Sequence, residues 1–385
     1  MLRGFKTEIY PTLEQADKIN RTIGTCRFIY NLYLAKNKEQ YEKDQTFITA
    51  NDFSKLVNHE ISVQEEYKWM KEVSSKAVKQ AMVNGEKAFK KFFKGLAKYP
   101  CFKKKKDQDV KAYFPKNNKT DWTVERHRIK VPTLGWIRLK EKGYVPINAK
   151  VRSGTVSQKA GRYFVSVLIE IQGSYEQVEL GDGIGIDVGV KDFVIASDGQ
   201  VFGNINKTSA IKRTEKRLKR AQRALSRKYE QRKRGETSAT YRGSNIHKGV
   251  LRVQTLQMRL ATMRSAYRSY VVSMLVKTKP AFITLEKLNI KGMVRNRQIA
   301  RAVSNQGFYD FKLKLLSACR KYGIEVREVD VFYPSSKMCS GCGHKKVKLS
   351  LSERTFTCEN CGSSLDRDLN ASLNLKQATE YTVLL

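Results

Sequence analysis

No apolar run in the sequence comes near the ~18 residues that a membrane-crossing helix needs. The first residues, MLRGFKTEIYPT, lack the apolar core of a signal peptide. Lipidation signals and internal repeats are also missing. Cysteines number seven, and without a secretion signal they do not read as a disulfide framework. Together these absences exclude a membrane-spanning protein, a secreted disulfide scaffold and a repeat array, and they predict a soluble intracellular protein. Acidic residues are also scarce: Asp and Glu number 37 against 74 Lys and Arg, a net charge of +37. With 41% hydrophobic and 10% aromatic residues, the chain is too apolar to be disordered throughout. At ~150 residues per domain, 385 residues predict two or three domains.

A compact chain with this charge repels itself unless a polyanion compensates. Nucleic acid is the expected partner, because its phosphates accept Lys and Arg whatever the base sequence. A ribosomal or merely solubilising surface would explain the charge but not the acidic motifs below. An anionic membrane fits poorly, since the basic segments come with large globular stretches.

Residues 3–10 read as a strand closed by the turn signal Pro11-Thr12. A helical pattern runs from Leu13 to about Lys38, with Ile19, Ile23, Cys26, Tyr30 and Tyr33 as its expected buried stripe. A further helix is predicted over Ser74–Phe93, broken by Pro100. The run Lys103–Lys106 reads as a solvated or phosphate-facing loop. Residues 110–180 alternate, carry β-branched and aromatic residues and are punctuated by Gly and Pro, which predicts an antiparallel barrel or sheet that the first strand joins. Beyond residue 181 the pattern is α/β: strands in GIGIDVGVKDFVIASDG, AFITLEKL and IEVREVDVF, and helices over 207–234, 250–276 and FYDFKLKLLSACRKYG. Between Lys212 and Arg234, 12 of 23 residues are Lys or Arg, beside a thin apolar seam of Leu218, Ala221 and Leu225. On the next helix, Leu256, Leu260, Met263, Tyr267, Tyr270 and Met274 form the expected packing stripe.

The strongest local signal is Cys339-x2-Cys342-x15-Cys358-x2-Cys361, with Gly341, Gly343 and Gly362 nearby. Two i, i+3 thiolate pairs on tight turns suit one tetrahedral Zn²⁺. Four soft ligands close its shell, so the site is expected to be structural. His344 reads as a polar loop residue, and Cys26, Cys101 and Cys319 as inert.

The second signal is carboxylates in apolar strands. Asp187 follows Ile184 and Ile186, and Glu286 ends AFITLEKL. A carboxylate so placed needs a partner or a cation, although each alone also reads as a strand-end residue. In LDRDLNASLNL, one of Asp366 and Asp368 is expected to cap the following helix and the other to face the sheet. Three converging carboxylates make a hard, oxygen-rich site suited to Mg²⁺ or Mn²⁺. In a basic protein, two such ions point to phosphodiester cleavage.

Across nearly its whole length the chain resembles TnpB, the OrfB-type protein of insertion sequences, which is similar to the RuvC-like type V CRISPR effectors. IGTCRFIYNLYLAKN and AFKKFF resemble the family's helical recognition region, and GRYFVSVLIE its β-barrel. GIDVGVKDFVIASDG, ITLEKLNIKGM and LDRDLNASLNL resemble its three RuvC segments in order, with the CxxC pairs between the second and third. The resemblance implies an α+β multidomain fold. It has a β-barrel (1–12 and 101–180) with a helical insertion (13–100), then a RuvC-like nuclease domain (181–335 and 363–385) holding a four-cysteine zinc ribbon (336–362). It also implies catalytic roles, and magnesium ligation, for Asp187, Glu286 and Asp368; Asp368 matches the DxN aspartate before Leu369-Asn370, which leaves Asp366 as the cap. Lys76 and Gln80, one turn apart in SSKAVKQ, stand where the family's motif-reading helix lies, and a solvated helix face explains them equally well. The chain ends soon after Leu375, so the family's variable basic tail is short or absent.

The implied function is RNA-guided cleavage of double-stranded DNA beside a short adjacent motif, in a prokaryotic cytoplasm and at the nucleoid when on target. One protein is expected per guide RNA, with the RNA encoded near the gene. Three rivals stand beside it. A repressor that has lost cutting is disfavoured by the three intact carboxylates. A DNA-strand transposase is disfavoured because His59, His127, His247 and His344 are scattered and no extra nucleophile is present. A compact CRISPR effector differs only in its neighbouring genes.

Overall fold

The computed structural model describes residues 2–108, 110–115, 122–171, 179–234, 239–350 and 353–385. They fall into two units, Met1–Gly173 and Ser174–Leu385.

In the first unit, β1 (Leu2–Tyr10) alternates Phe5, Thr7 and Ile9 inward. Pro11 ends it, and Thr12 opens α1 (Leu13–Asp44) with a capping box, trading hydrogen bonds with Gln15. The Gln15 amide also donates to the carbonyls of Leu134 and Trp136, tying the helix start to the sheet. The buried stripe of α1 differs from the expected one: Ile19, Cys26 and Tyr33 are inside, but Ile29 takes the place of Tyr30, and Thr22 and Thr25 that of Ile23. Both threonine hydroxyls donate back to the helix (to Lys18 O and Arg21 O), so they enter the core with their polarity satisfied. α2 (Ala50–Leu56) and α3 (Ser75–Phe93) pack on this stripe. Gly85 of α3 lies flat on the Tyr33 ring, where a Cβ would overlap the ring.

The sheet follows: β2 (Ala112–Pro115), β3 (Thr123–Val124), β4 (Arg128–Val131), β5 (Gly135–Leu139), β6 (Lys150–Lys159) and β7 (Arg162–Glu170). Its strand order is β2-β6-β7-β1-β5-β4-β3, so β1 does join it. β6 and β7 meet through Ala160-Gly161, both at positive φ, as a two-residue hairpin turn requires. The expected closed barrel is not what these strands form. Among the described residues the end strands β2 and β3 do not pair; β3 has two residues, and β2 ends at Pro115, which has no N–H to donate. Side chains draw the ends together instead: the Trp122 indole occupies the space beside Gly154 of β6, and one core runs from Phe114 through Val156 to Val124.

The second unit contains β8 (Ile184–Val188), β9 (Asp192–Ala196) and β10 (Val201–Gly203), then the long helices α4 (Ser209–Lys233) and α5 (Ala239–Lys277). β11 (Phe282–Glu286), α6 (Ile290–Arg295), α7 (Ala300–Gln306), α8 (Phe308–Tyr322) and β12 (Glu325–Val329) come next. β13 (Thr355–Thr357), β14 (Ser364–Asp366), α9 (Arg367–Gln377) and β15 (Thr382–Val383) complete it. The main sheet has the order β10-β9-β8-β11-β12-β15, with β8, β11 and β12 parallel. α5, α7 and α8 supply Val271, Leu275, Val303, Phe311 and Leu315 to the core on one face.

α4 is as basic as expected, and its inward residues are Ile211 and Thr214, with Leu218, Ala221 and Leu225 half-buried. Gly249 of α5 lets the Leu225 side chain approach closely. The expected α5 stripe holds at Leu256 and Leu260, and Tyr267 and Met274 pack half-buried against the core, but the most buried face then shifts. Val271, Val272, Leu275 and Val276 are buried while Tyr270 is exposed, because this part of the helix packs on the sheet. No helix of the described residues is long and apolar enough to cross a membrane.

Candidate active site and metal centre

Strand alternation selects which residues leave the core. Ile184 and Ile186 of β8, and Ile283 and Leu285 of β11, enter the core beneath α5 and α8. Gly185, Asp187, Thr284 and Glu286 therefore face the other way. The parallel register pairs Thr284 with Gly185 and Leu285 with Ile186, which sets Asp187 and Glu286 side by side at the carboxyl ends of adjacent strands. α9 lies on this face: a Cβ at Gly185 would overlap the backbone of Ser372 and Lys376.

Asp366 is the helix cap, accepting from the N–H groups of Asp368 (2.9 Å) and Leu369 (3.1 Å). Asp368, in the first turn, is the carboxylate that senses the sheet. Burial pushes the Asp187 carboxyl up to about 7, and the charges of Glu286 and Asp368 push the same way, against Arg367 and the Val188 N–H. Glu286 is also raised by burial, opposed by a hydrogen bond from the Ser335 hydroxyl. Arg367 donates to Asp368 Oδ1 through Nε (3.1 Å) and Nη2 (3.0 Å), and Arg354 lies 3.9 Å from Oδ2. The donor set is all oxygen, and its members repel one another without a cation, so it fits Mg²⁺ or Mn²⁺.

The cysteine cluster is more tightly drawn. The Sγ atoms of Cys339, Cys342, Cys358 and Cys361 all lie within 4.8 Å of one another, the one such group among the described residues. Cys339 to Cys361 is 3.7 Å and Cys342 to Cys358 is 3.6 Å. A tetrahedron with metal–sulfur bonds of ~2.3 Å has edges of about 3.8 Å, so four thiolates here suit one structural zinc. Each pair sits on the same kind of turn. The Gly343 N–H donates to Cys339 O and the Gly362 N–H to Cys358 O, both glycines at positive φ. Ser363 Oγ, 3.3 Å from Cys339 Sγ, leads the contacts that pull that thiol down to about 6. His344 is exposed and contributes its backbone carbonyl to the Cys339 N–H, not its ring to the cluster. Cys26 and Cys319 are buried and pushed up to about 12 by burial, as inert thiols should be.

Lys76 and Gln80 lie on the solvent side of α3, where the Gln80 amide donates to Asn84 (3.0 Å). Asn31 of α1 anchors the start of the lysine run by exchanging hydrogen bonds with the Lys103 backbone, leaving Lys104, Lys105 and Lys106 exposed.

Sequence reasoning missed a set of buried polar residues beside the carboxylates. Ser335, Asn370 and Asn374 are each at most 3% exposed. Asn370 and Asn374, one turn apart, donate to Met338 O (2.7 and 2.6 Å). Asn374 also donates to Ser335 O (2.7 Å), and Asn370 accepts from the Ser340 N–H (3.0 Å). The available signal was the pair of asparagines at i, i+4 on the apolar side of LDRDLNASLNL.

Three family models match the chain: a helix-turn-helix domain of OrfB_IS605 proteins over residues 1–46, OrfB_IS605, described as "Probable transposase", over 166–297, and the Cas12f1-like TNB domain over 308–375. A Streptomyces pristinaespiralis protein named "Putative RNA-guided DNA endonuclease" is 30% identical over 98% of this chain and 89% of its own length. The Escherichia coli K12 protein "Putative RNA-guided DNA endonuclease InsQ" is 28% identical over 98% of this chain and 92% of its own. Among solved structures, a Cas12f1–sgRNA–target DNA complex shares the fold at a TM-score of 0.56 and 14% identity, covering 99% of both chains.

Proposed function

The chain belongs to the TnpB/OrfB family of IS605-type insertion sequences, and from that premise we propose that it is an RNA-guided DNA endonuclease whose cutting site is Asp187, Glu286 and Asp368. The convergence of these carboxylates from two parallel strands and a helix start carries the assignment. Two Mg²⁺ or Mn²⁺ ions held there would supply charge stabilisation of the attacked phosphodiester and activation of the attacking water. Asp187, with its carboxyl held near 7, is readily drawn to the anionic form by a cation, and Glu286 and Asp368 complete the ligand set from either side. The β-sheet and helices of the first unit and the basic helix α4 of the second are read as the surfaces that hold guide RNA and target DNA. Lys76 and Gln80 are read as contacts to the target-adjacent motif. A zinc held by Cys339, Cys342, Cys358 and Cys361 would have its shell closed by four thiolates and so would serve the fold and not the chemistry.

The test is guide dependence. The protein should copurify with RNA encoded beside its gene, and cleavage should need that RNA, a matching target and an adjacent motif. RNA-free protein that cuts the same plasmid at the same position would favour an unguided nuclease.

A further inference from the structure

Glu286 stands at the end of β11 with its side chain turned away from the core. Among the described residues one protein group bonds its carboxylate. The Ser335 hydroxyl donates to Glu286 Oε1, which leaves Oε2 and the remaining lone pair of Oε1 for another ligand. Ser335 does not belong to the sheet, to α9 or to the cysteine cluster. It lies in residues 333–340, a strap that runs from beyond the end of β12 to the first cysteine.

The strap has almost no regular structure of its own, yet it is firmly held. The Ser335 N–H donates to Tyr333 O (2.9 Å), and its carbonyl accepts from Asn374. Asn374 and Asn370 both clamp Met338 O, Asn370 takes the Ser340 N–H, and the Tyr333 hydroxyl returns to Asn374 O (3.1 Å). All of these side-chain contacts join the strap to α9, the helix that carries Asp368 in its first turn. The strap's far end is fixed again by the Cys339 turn. The hydroxyl on Glu286 is thus positioned from both sides: by the helix that bears the third carboxylate, and by the turn that opens the thiolate cluster.

We propose that Ser335 is a positioning residue for Glu286, holding its carboxylate in the rotamer that receives the catalytic cation. This rests on the reading of Glu286 as a metal carboxylate. A side chain that orients a metal ligand costs about 10–100-fold in metal affinity or activity when removed, although it never touches metal or substrate. Ser335→Ala removes the hydroxyl at nearly constant volume, and Ser335→Thr keeps it.

The experiment compares wild type, Ser335→Ala, Ser335→Thr and Glu286→Ala as full-length, zinc-loaded, guide-loaded complexes. Expected for Ser335→Ala is a rise of about 10–100-fold in the Mg²⁺ concentration giving half-maximal cleavage, with target-DNA binding, zinc content and melting temperature unchanged. Mn²⁺ bound by the full-length chain without nucleic acid, read from loss of the free-ion EPR signal, should weaken by a similar factor. Ser335→Thr should stay within a few-fold of wild type. Wild-type Mg²⁺ dependence in Ser335→Ala, beside an inactive Glu286→Ala, overturns the proposal and leaves the site assignment standing. An active Glu286→Ala overturns the assignment itself. Loss of zinc or early melting in Ser335→Ala makes the hydroxyl structural and also ends the proposal.

Discussion

The cysteine cluster and the carboxylate group are both read as metal sites, yet the fold prepares them differently. The thiols are gathered by two short turns of the same design, each closed by a glycine at positive φ, and their spacing already matches a tetrahedron. The carboxylates come from elements far apart in sequence, β8, β11 and α9, and Arg367 donates to Asp368. Local turn geometry gathers four soft ligands within one short stretch of chain. Like-charged oxygens in a poorly solvated recess need the ion, or a guanidinium, to offset their repulsion.

That contrast can be broken from the carboxylate side with the largest effect. Asp187→Ala or Glu286→Ala should lower guided DNA cleavage by at least about 10³-fold, since the metals supply several kcal/mol of transition-state stabilisation. Filter binding of target DNA should change little, because the carboxylates contribute no attraction to phosphate. Breaking it from the thiol side should act on folding: Cys358→Ser should reduce zinc below the expected one per chain and lower the melting temperature of the second unit. Full zinc occupancy in that variant would refute a closed four-thiolate site.

A pH titration sharpens the comparison further. Asp187 is raised when folded, so the folded state holds its proton more tightly than the unfolded chain. In Mg²⁺-free protein this contribution to stability is fully present below the ordinary aspartate pKa of ~3.9, and it is lost as pH rises toward about 7. Asp187→Asn should flatten that slope in a melting-temperature series, and added Mg²⁺ should stabilise wild type more at pH 8 than at pH 5. A slope that persists in Asp187→Asn would assign it to another group. The smallest effect is expected at Asp366. Its replacement by Ala removes a cap worth ~1 kcal/mol and should cost cleavage only a few-fold, whereas Asp368→Ala should be inactive. The reverse pattern would exchange the two roles.

The elements that repeat a period were legible in the sequence, and those that depend on meeting a distant segment were not. The cysteine spacing, the strands carrying Asp187 and Glu286 and the basic helix all follow local rules. The cap of α9 was legible too, once the family's DxN pattern had left Asp366 for it, and Asp366 makes the capping bonds. The inward turn of Thr22 and Thr25 was hidden because a hydroxyl bonded to its own helix passes as apolar. Closure of the first sheet was overestimated because alternation marks strands but not whether the end strands pair. Ser335 was invisible because its importance comes from a glutamate 49 residues away.

Gly185 has a consequence beyond packing. With no side chain on β8 at that point, the backbone of α9 rests directly on the strand, and Asp368 begins one turn before Ser372, which makes the contact. The absence of a single methyl group therefore sets how closely the start of α9 approaches β8. An alanine at this position would act as a shim, lifting the helix and opening the gap between Asp368 and Asp187 while every carboxylate stayed in the sequence.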